Sequence, residues 1–375
     1  MRTLVGVNDP QAVKKWSTLM AVAINKTSYW AQRYIGEGKK SRTPVQRIDD
    51  LQSGAGDEVL VDLLMPINME PVIADDTLDG NEAPLRYYTD RLRIDQVRGG
   101  VNLGSRMTKK RTLRDLRADA KQASADWWAR LMDELLFIYA SGTLGSGEGF
   151  VWKSNSKMFD VNPLTAPDSM HQMYGGSATS LASLTTADGF SLRLIDKAVS
   201  KAETMGGDGT DELSMVPVRI DGGEHYIALM HTWQADKLRT EAGEGKWMDI
   251  QKAAAAAQGS KNPIFTGAMG LYNNVVLQKH RNVIRDKTAG AGGNLPWARS
   301  LFMGAQGLMV AYGDTESGTR YQWTEEKKDH GNYVAIGTHA VLGAKKATYK
   351  SKDGGVQRDF GLFAMDTYCV DPNAA

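Results

Sequence analysis

His171, His225, His231, His280, His330 and His339 are the side chains best suited to proton transfer or metal ligation, and their spacing excludes the common arrangements. None belongs to a His-Glu-x-x-His pair, which would offer two imidazoles to zinc from one helix face. Gly145-Ser146-Gly147-Glu148-Gly149 has the glycines of a phosphate loop, but Phe150-Val151-Trp152 does not open the helix that would hold the anion. It reads as a flexible turn. Gly38-Lys39-Lys40-Ser41 lacks the upstream glycine of a Walker loop, Arg33 standing in its place, and no nucleophile elbow is present. Asp75-Asp76-Thr77-Leu78-Asp79-Gly80-Asn81 does not alternate its acids as an EF-hand calcium loop must, and reads as an acidic turn facing a partner. His231 follows the apolar run Tyr226 to Met230 at a strand end, where a catalytic histidine could stand; a structural histidine opening a helix is the simpler reading. These residues point to no catalytic group, no cofactor and no metal, and away from an enzyme.

What remains is ionic chemistry. From Gly56 to Asp90 nine acids face Arg86 alone, a charge of about −8; from Arg91 to Lys121 ten bases face three acids, about +7. The whole chain carries only +1. Adjacent surfaces of opposite sign pair either within one molecule or between the acidic part of one copy and the basic part of the next. The second alternative implies assembly.

The elements that must present these charges are legible in the spacing of apolar residues. Val59, Val61, Leu63 and Met65 alternate, and Leu92, Ile94 and Val97 follow a turn-rich centre holding Pro66, Pro71, Asp79-Gly80-Asn81 and Pro84, which predicts a long hairpin. Leu113, Leu116, Ala120, Ala123, Trp127, Leu131, Leu135 and Ile138 step by three or four, Thr112 with Asp115 resembles a capping box, and Ser141-Gly142 supplies the stop. The expected helix has about 30 residues and spans about 45 Å. Its first turns hold the Arg and Lys cluster, at the unfavourable end of the helix dipole, so acidic partners are expected there. Trp127 and Trp128 cannot both face one core, so one is expected on a second packing surface.

Around these elements, Pro10 opens a helical N-terminal arm that ends near Gly36, with a solvated basic character from Lys14, Lys15, Lys26, Lys39, Lys40, Arg42 and Arg47. Residues 142–189 read as a surface excursion with little regular structure. Helices are expected over Phe190 to Met205, His231 to Arg239 and Ile250 to Gln258, and strands over Met215 to Ile220, Glu224 to Met230 and Val275 to Gln278. Residues 301–368 alternate like antiparallel sheet. Segregated helices and strands give an α+β class. With 375 residues and 42% hydrophobic ones, the chain has ample core material. The lone Cys369 excludes an intrachain disulfide and fits a reducing cytosol. Neither a secretory signal nor an apolar run of membrane-spanning length is seen, so a soluble chain without a membrane is expected.

Several ordered blocks resemble one family. Glu70 to Glu82, Ile94 to Arg98, Asp115-Leu116-Arg117, Asp126 to Arg130, Tyr226 to Leu238, Asn262 to Gly267, Met303 to Gln306, Asp329 to Asn332, Lys345-Lys346, and Phe360-Gly361 with Asp366-Thr367 resemble major capsid proteins of tailed bacteriophages, specifically the coliphage N-four-type capsid family. Gly99-Gly100, where bulkier residues are expected, and Thr232, where proline is expected, depart from that pattern. The resemblance implies the Hong Kong 97-type capsid fold, with an N-terminal arm at 1–56, an E-loop at 57–105, a peripheral domain with a spine helix at 106–189 and 295–375, and an axial domain at 190–294. It implies hexamers and pentamers of the same chain in an icosahedral head, assembled in the host bacterial cytoplasm. Double-stranded DNA would lie non-specifically on the inner face, with portal, scaffold or decoration proteins as further partners. An encapsulin-like bacterial compartment is the alternative. In such a shell Asp75, Asp76, Asp79 and Glu82 would meet Arg106, Lys109, Lys110, Arg111 and Arg114 of the next copy, with affinity from Leu63, Met65, Ile67 and Met69.

Overall fold

The computed structural model describes residues 10–38, 41–52, 56–64, 67, 71–73, 77–82, 85, 87–146, 149–206, 213–220, 223–240, 270–315, 319–350 and 355–373. The helix Leu116–Ser141 is its axis. Asp115 is the N-cap, its carboxylate accepting from the amides of Arg117 at 3.0 Å and Ala118 at 3.3 Å. Gly142, at φ 69°, ends the helix in the left-handed conformation that glycine adopts without a Cβ penalty. Its 26 residues make a rod of about 39 Å, shorter than expected. The expected capping box is not there: Thr112 instead closes a separate short helix, Arg106–Arg111. Lys109, Lys110 and Arg111 lie in the last turn of that helix, the end that favours cations, so the expected clash with the dipole disappears.

Two sheets take up the rest of the core. In the first, Tyr333–Lys346 pairs antiparallel with Leu308–Tyr312, Gln322–Lys328 and Asp95–Ser105. Leu308–Tyr312 also takes Val45–Ile48 as a parallel neighbour, which in turn carries Ile35–Glu37. The second sheet has the order Gln172–Tyr174, Leu362–Tyr368, Leu295–Met303, Gly223–Met230, Val275–Lys279, Gly270–Tyr272. Because side chains alternate across a strand, Ile227 and Leu229 join the core around the long helix. Tyr226, Ala228 and Met230 join a second core under the helices Leu192–Thr204 and Thr232–Thr240. The second sheet is therefore covered on both faces, and its central strand is nearly continuously apolar.

The N-terminal arm is sewn into this body. Trp16 stacks on Trp323 with ring centres 5.8 Å apart, and Ser17 Oγ accepts from the Trp323 amide at 3.1 Å. Asp133 of the long helix caps the arm's second helix, Tyr29–Arg33, accepting from Ser28 Oγ at 2.7 Å, Tyr29 N at 2.9 Å and Trp30 N at 3.2 Å. Burial raises the Asp133 carboxyl above its usual range, and these three donors oppose the shift.

Three further expectations are corrected. Residues 142–189 have little regular structure, as expected, but are anchored in the body rather than lying wholly on its surface: Trp152, Met158 and Leu184 are buried, and Trp152 donates to Leu131 O at 2.8 Å. Trp127 and Trp128 do not serve separate surfaces. They meet edge to face at 5.0 Å on the same pair of strands, Trp128 donating to Thr338 Oγ1 at 2.9 Å while Trp127 lies over Gly99. A Cβ on Gly99 would stand 2.7 Å from the Trp127 ring, which explains a glycine where a bulkier residue was expected. The strand expected at Met215 begins only at Val218. The helix expected over Ile250 to Gln258 and the block Asn262 to Gly267 lie outside the described residues.

Candidate assembly surface

The strands Glu58–Leu64 and Tyr87–Arg93 pair antiparallel from Glu58 with Arg93 to Leu64 with Tyr87, a separate two-stranded ribbon. Alternation gives it two faces. Val59, Val61, Leu63, Tyr88 and Leu92 turn inward onto Ile48, Met309, Tyr349 and Phe360. Leu60, Leu64 and Tyr87 turn outward and are exposed, as are Ile67, Ile73, Leu78 and Leu85 further along. Of the apolar residues expected to bind a neighbour, Leu63 thus packs on its own subunit and Ile67 is exposed, while Met65 and Met69 lie outside the described residues.

Much of the hairpin's acidity is consumed near its root. Glu58 pairs with Arg93 at 3.1 Å and Arg91 at 3.6 Å, Asp62 accepts from Thr89 at 2.6 Å, and Asp90 takes the Lys345 ammonium. At the tip Glu82 accepts from the Gly80 amide at 2.9 Å, closing the turn, and Asp79 is exposed. Asp75 and Asp76 lie outside the described residues.

The basic set is brought together as expected, because it is contiguous in sequence. Arg106 is fastened by hydrogen bonds to Gly331 O at 3.3 Å and Asn332 Oδ1 at 3.4 Å. Lys109, Lys110, Arg111 and Arg114 are exposed, and among the described residues no carboxylate lies within ion-pair distance of them. Arg117 is neutralised by Glu325 at 2.5 Å. Among these four cations stand two apolar side chains, Met107 at 56% exposure and Leu113 at full exposure. Neither Asp79 nor Glu82 reaches this helix within the chain.

Elsewhere ionisable groups serve the core. Arg299 grips Asp366 with two 2.7 Å bonds and donates to Ser141 O at 2.8 Å, placing a cation on the last carbonyl of the long helix. His231 accepts from the Trp233 amide at 3.2 Å and so opens the helix Thr232–Thr240, the structural role expected. Burial, reinforced by Arg285, lowers its pKa to about 4; burial also lowers His280 to about 4, reinforced by Arg281 and Arg33. A cavity of about 440 Å³ beside His231 is lined by Arg130, Glu134, Trp233 and Arg285. Arg130 is held by Glu134 at 2.7 Å and Arg285 lies 4.1 Å over the Trp233 ring, so two of its cations are engaged structurally. Among the described residues there is no group of three metal-ligating side chains, and no helix is long and apolar enough to cross a membrane. Sequence reasoning missed Asp90, Lys345 and Asn162 at the hairpin root. The available signal was Asp90 itself, an acid at an inward position between Tyr88 and Leu92.

The described residues thus present a half-apolar ribbon and a basic ledge with no described carboxylate at ion-pair distance. A family model described as phage capsid protein matches residues 4–371. The chain belongs to the phage capsid protein family. Across all of both chains it is similar to the solved capsid of Ralstonia phage GP4, at 42% identity and a TM-score of 0.82. The major capsid protein of Pseudomonas phage KPP25 is 23% identical over 353 residues, 87% of each chain. The capsid asymmetric unit of cyanophage Pam1, at 20% identity and a TM-score of 0.70 over 92% of this chain and 93% of that one, shares the fold. The mixed α+β architecture of this capsid-family member is thus that of solved phage capsids, and the family is not a class of enzymes.

Proposed function

We propose that this chain is the major capsid protein of a tailed bacteriophage, a structural subunit that self-assembles into the icosahedral head. The observation that carries this reading is the family match over nearly the whole length together with full-length similarity to the GP4 capsid. The encapsulin-like compartment is set aside, because the family model and the relatives named above are phage capsids. The narrower kinship with the coliphage N-four-type group belongs to this proposal. So do the Hong Kong 97-type parts: arm 1–56, E-loop 57–105, peripheral domain 106–189 and 295–375 with Leu116–Ser141 as spine, and axial domain 190–294. Hexamers and pentamers of the chain enclose double-stranded DNA without sequence preference and assemble in the host cytoplasm, with portal, scaffold or decoration proteins as further partners.

In this reading the hairpin of one copy reaches over the next and sets its acidic tip, Asp75, Asp76, Asp79 and Glu82, on Arg106, Lys109, Lys110, Arg111 and Arg114. Exposed ion pairs contribute about 0 to 1 kcal/mol each, so they fix register. Affinity comes from apolar anchors: Leu113 and Met107 on the ledge, and Ile73, Leu78 and Leu85 on the hairpin, all exposed in the single subunit. The test is electron microscopy and light scattering of the purified chain across salt and concentration. Shells, rings or tubes are expected. A clean 41 kDa monomer throughout would overturn the reading.

A further inference from the structure

At the hairpin root a set of buried polar contacts reaches from the long helix to the strand that leaves it. Tyr139, buried on the long helix, donates to Asn162 O at 2.8 Å. The Asn162 carboxamide, 3% exposed, then closes two bonds on one peptide residue: it accepts from Arg93 N at 3.1 Å and donates to Arg93 O at 2.7 Å. Both polar groups of Arg93 therefore point away from the hairpin ladder and are satisfied by one side chain, which stands in for a neighbouring strand. Opposite this contact, Gly343 leaves room for the strand to approach: a Cβ there would lie 1.9 Å from Arg93 O.

Three residues nearer the tip, Asp90 makes a second attachment. One carboxylate oxygen takes the Lys345 ammonium, and the other accepts from Thr348 N and Thr348 Oγ1, each at 3.3 Å. Lys345 also donates to Arg91 O at 3.2 Å. Asp90 is 7% exposed, and a carboxylate so placed is held by direction-specific bonds, where the apolar neighbours Val59 and Leu92 can slide. Toward the tip the described ladder ends at Leu64 and Tyr87, both exposed, while on the root side of Tyr88 Asp62 bonds to Thr89 within the ribbon.

We propose that Asn162, together with the Asp90–Lys345 pair, is the positioning group that fixes the angle of the hairpin to the subunit body. The direction in which the paired strands leave the body is set by the long helix through Tyr139 and Asn162. The inference rests on the reading of the hairpin as the element that reaches a neighbouring subunit. Its geometric half, a fixed root, is independent of that reading. Asn162 acts through Arg93 and needs no contact with the neighbour.

The test is a distance measurement between nitroxides at Leu64→Cys and Gln122→Cys in the full chain, spin-diluted with unlabelled subunits and compared with particle images of the same preparations. Cys369 does not interfere, because burial pushes its thiol up to about 12 and hides it from the label. In the parent background one narrow distribution is expected. In Asn162→Ala, and in Asp90→Asn as a shape-preserving second variant, the distribution broadens about twofold, as a released hinge does, and the particles become heterogeneous in diameter. A purely structural role would lower the melting temperature and leave the distribution narrow. The proposal is overturned if both folded variants keep the parent distribution, or if broadening leaves particle diameters uniform. If the parent chain never assembles but both variants still broaden, the fixed root stands and the capsid reading falls.

Discussion

The two ends of the helix Leu116–Ser141 occupy opposite surroundings. From Leu131 to Ser141 every residue is buried, and Arg299 closes the last carbonyl. At the other end Arg117, Ala118 and Asp119 face solvent, and the preceding Lys109, Lys110, Arg111 and Arg114 have no carboxylate at ion-pair distance among the described residues. One rod thus divides two tasks. Its buried end supplies stability to the single subunit, and its exposed end contributes little to that stability; in the proposed reading another copy covers it. Substitutions at the two ends should therefore separate folding from association.

The largest effect is expected inside. Phe137→Ala removes a fully buried ring that stacks on His280 and meets Trp30 edge to face, and should cost about 3 to 5 kcal/mol in urea unfolding. A loss below about 1 kcal/mol would mean that this end is no more committed to the fold than the other. Acid should act on the same side of the comparison. His231 has a folded-state pKa of about 4 against an ordinary 6.5, so the unfolded chain takes up its proton first as pH falls. The stability associated with the neutral ring is complete above pH 6.5 and is lost between 6.5 and 4, about 2 to 3 kcal/mol for this site. Melting curves across that window should show the loss from His231 and His280 together, and His231→Asn, which keeps a cap for Trp233, should remove about half of it. An unchanged slope would remove His231 from the account.

Gly99→Val lies at the boundary between the two regimes. It forces a side chain into the Trp127 ring and should cost about 1 to 3 kcal/mol by overpacking, measured as a lowered denaturation midpoint. At the exposed end the expected pattern reverses. Changing Lys109, Lys110 and Arg111 to Glu should alter subunit stability by no more than about 0.5 kcal/mol while blocking or misdirecting assembly. Adding Asp75→Lys, Asp76→Lys and Asp79→Lys to the same chain should restore part of it. The defect should fade with salt as the screening length shrinks from about 10 Å at 0.1 M to about 3 Å at 1 M. Normal assembly of the Glu variant at low salt would dissolve the contrast. Smallest for the fold is Leu113→Ser, without measurable effect on unfolding, yet expected to raise the critical concentration for assembly about tenfold.

Local patterns carried most of what was legible. The hairpin followed from alternation at Val59, Val61 and Leu63, and the long helix from its three-and-four stepping, because both periods are properties of the backbone alone. Its start was misread, since Thr112 and Asp115 match a capping pattern equally well inside one helix or across a bend between two. The tryptophan pair was misread for a different reason. Only the strand carrying Gly99 decides where Trp127 can lie. The basic ledge was readable because its residues are consecutive, whereas Asn162 contacts Arg93 across 69 residues and Lys345 contacts Asp90 across 255. No spacing rule reaches that far.

The seat of the N-terminal arm has a consequence for synthesis. Val45–Ile48 is completed as sheet only by Leu308–Tyr312, and Ser17 waits for Trp323. At about 5 to 20 residues per second, a ribosome delivers those partners on the order of tens of seconds after the arm has emerged. Through that interval Trp16, Met20 and Ile24 have no completed site. Competence to join other copies is thereby timed to near-completion of translation: a chain stalled before residue 308 can hold its arm by Asp133 but lacks the strand and the Trp323 ring that complete the arm's seat.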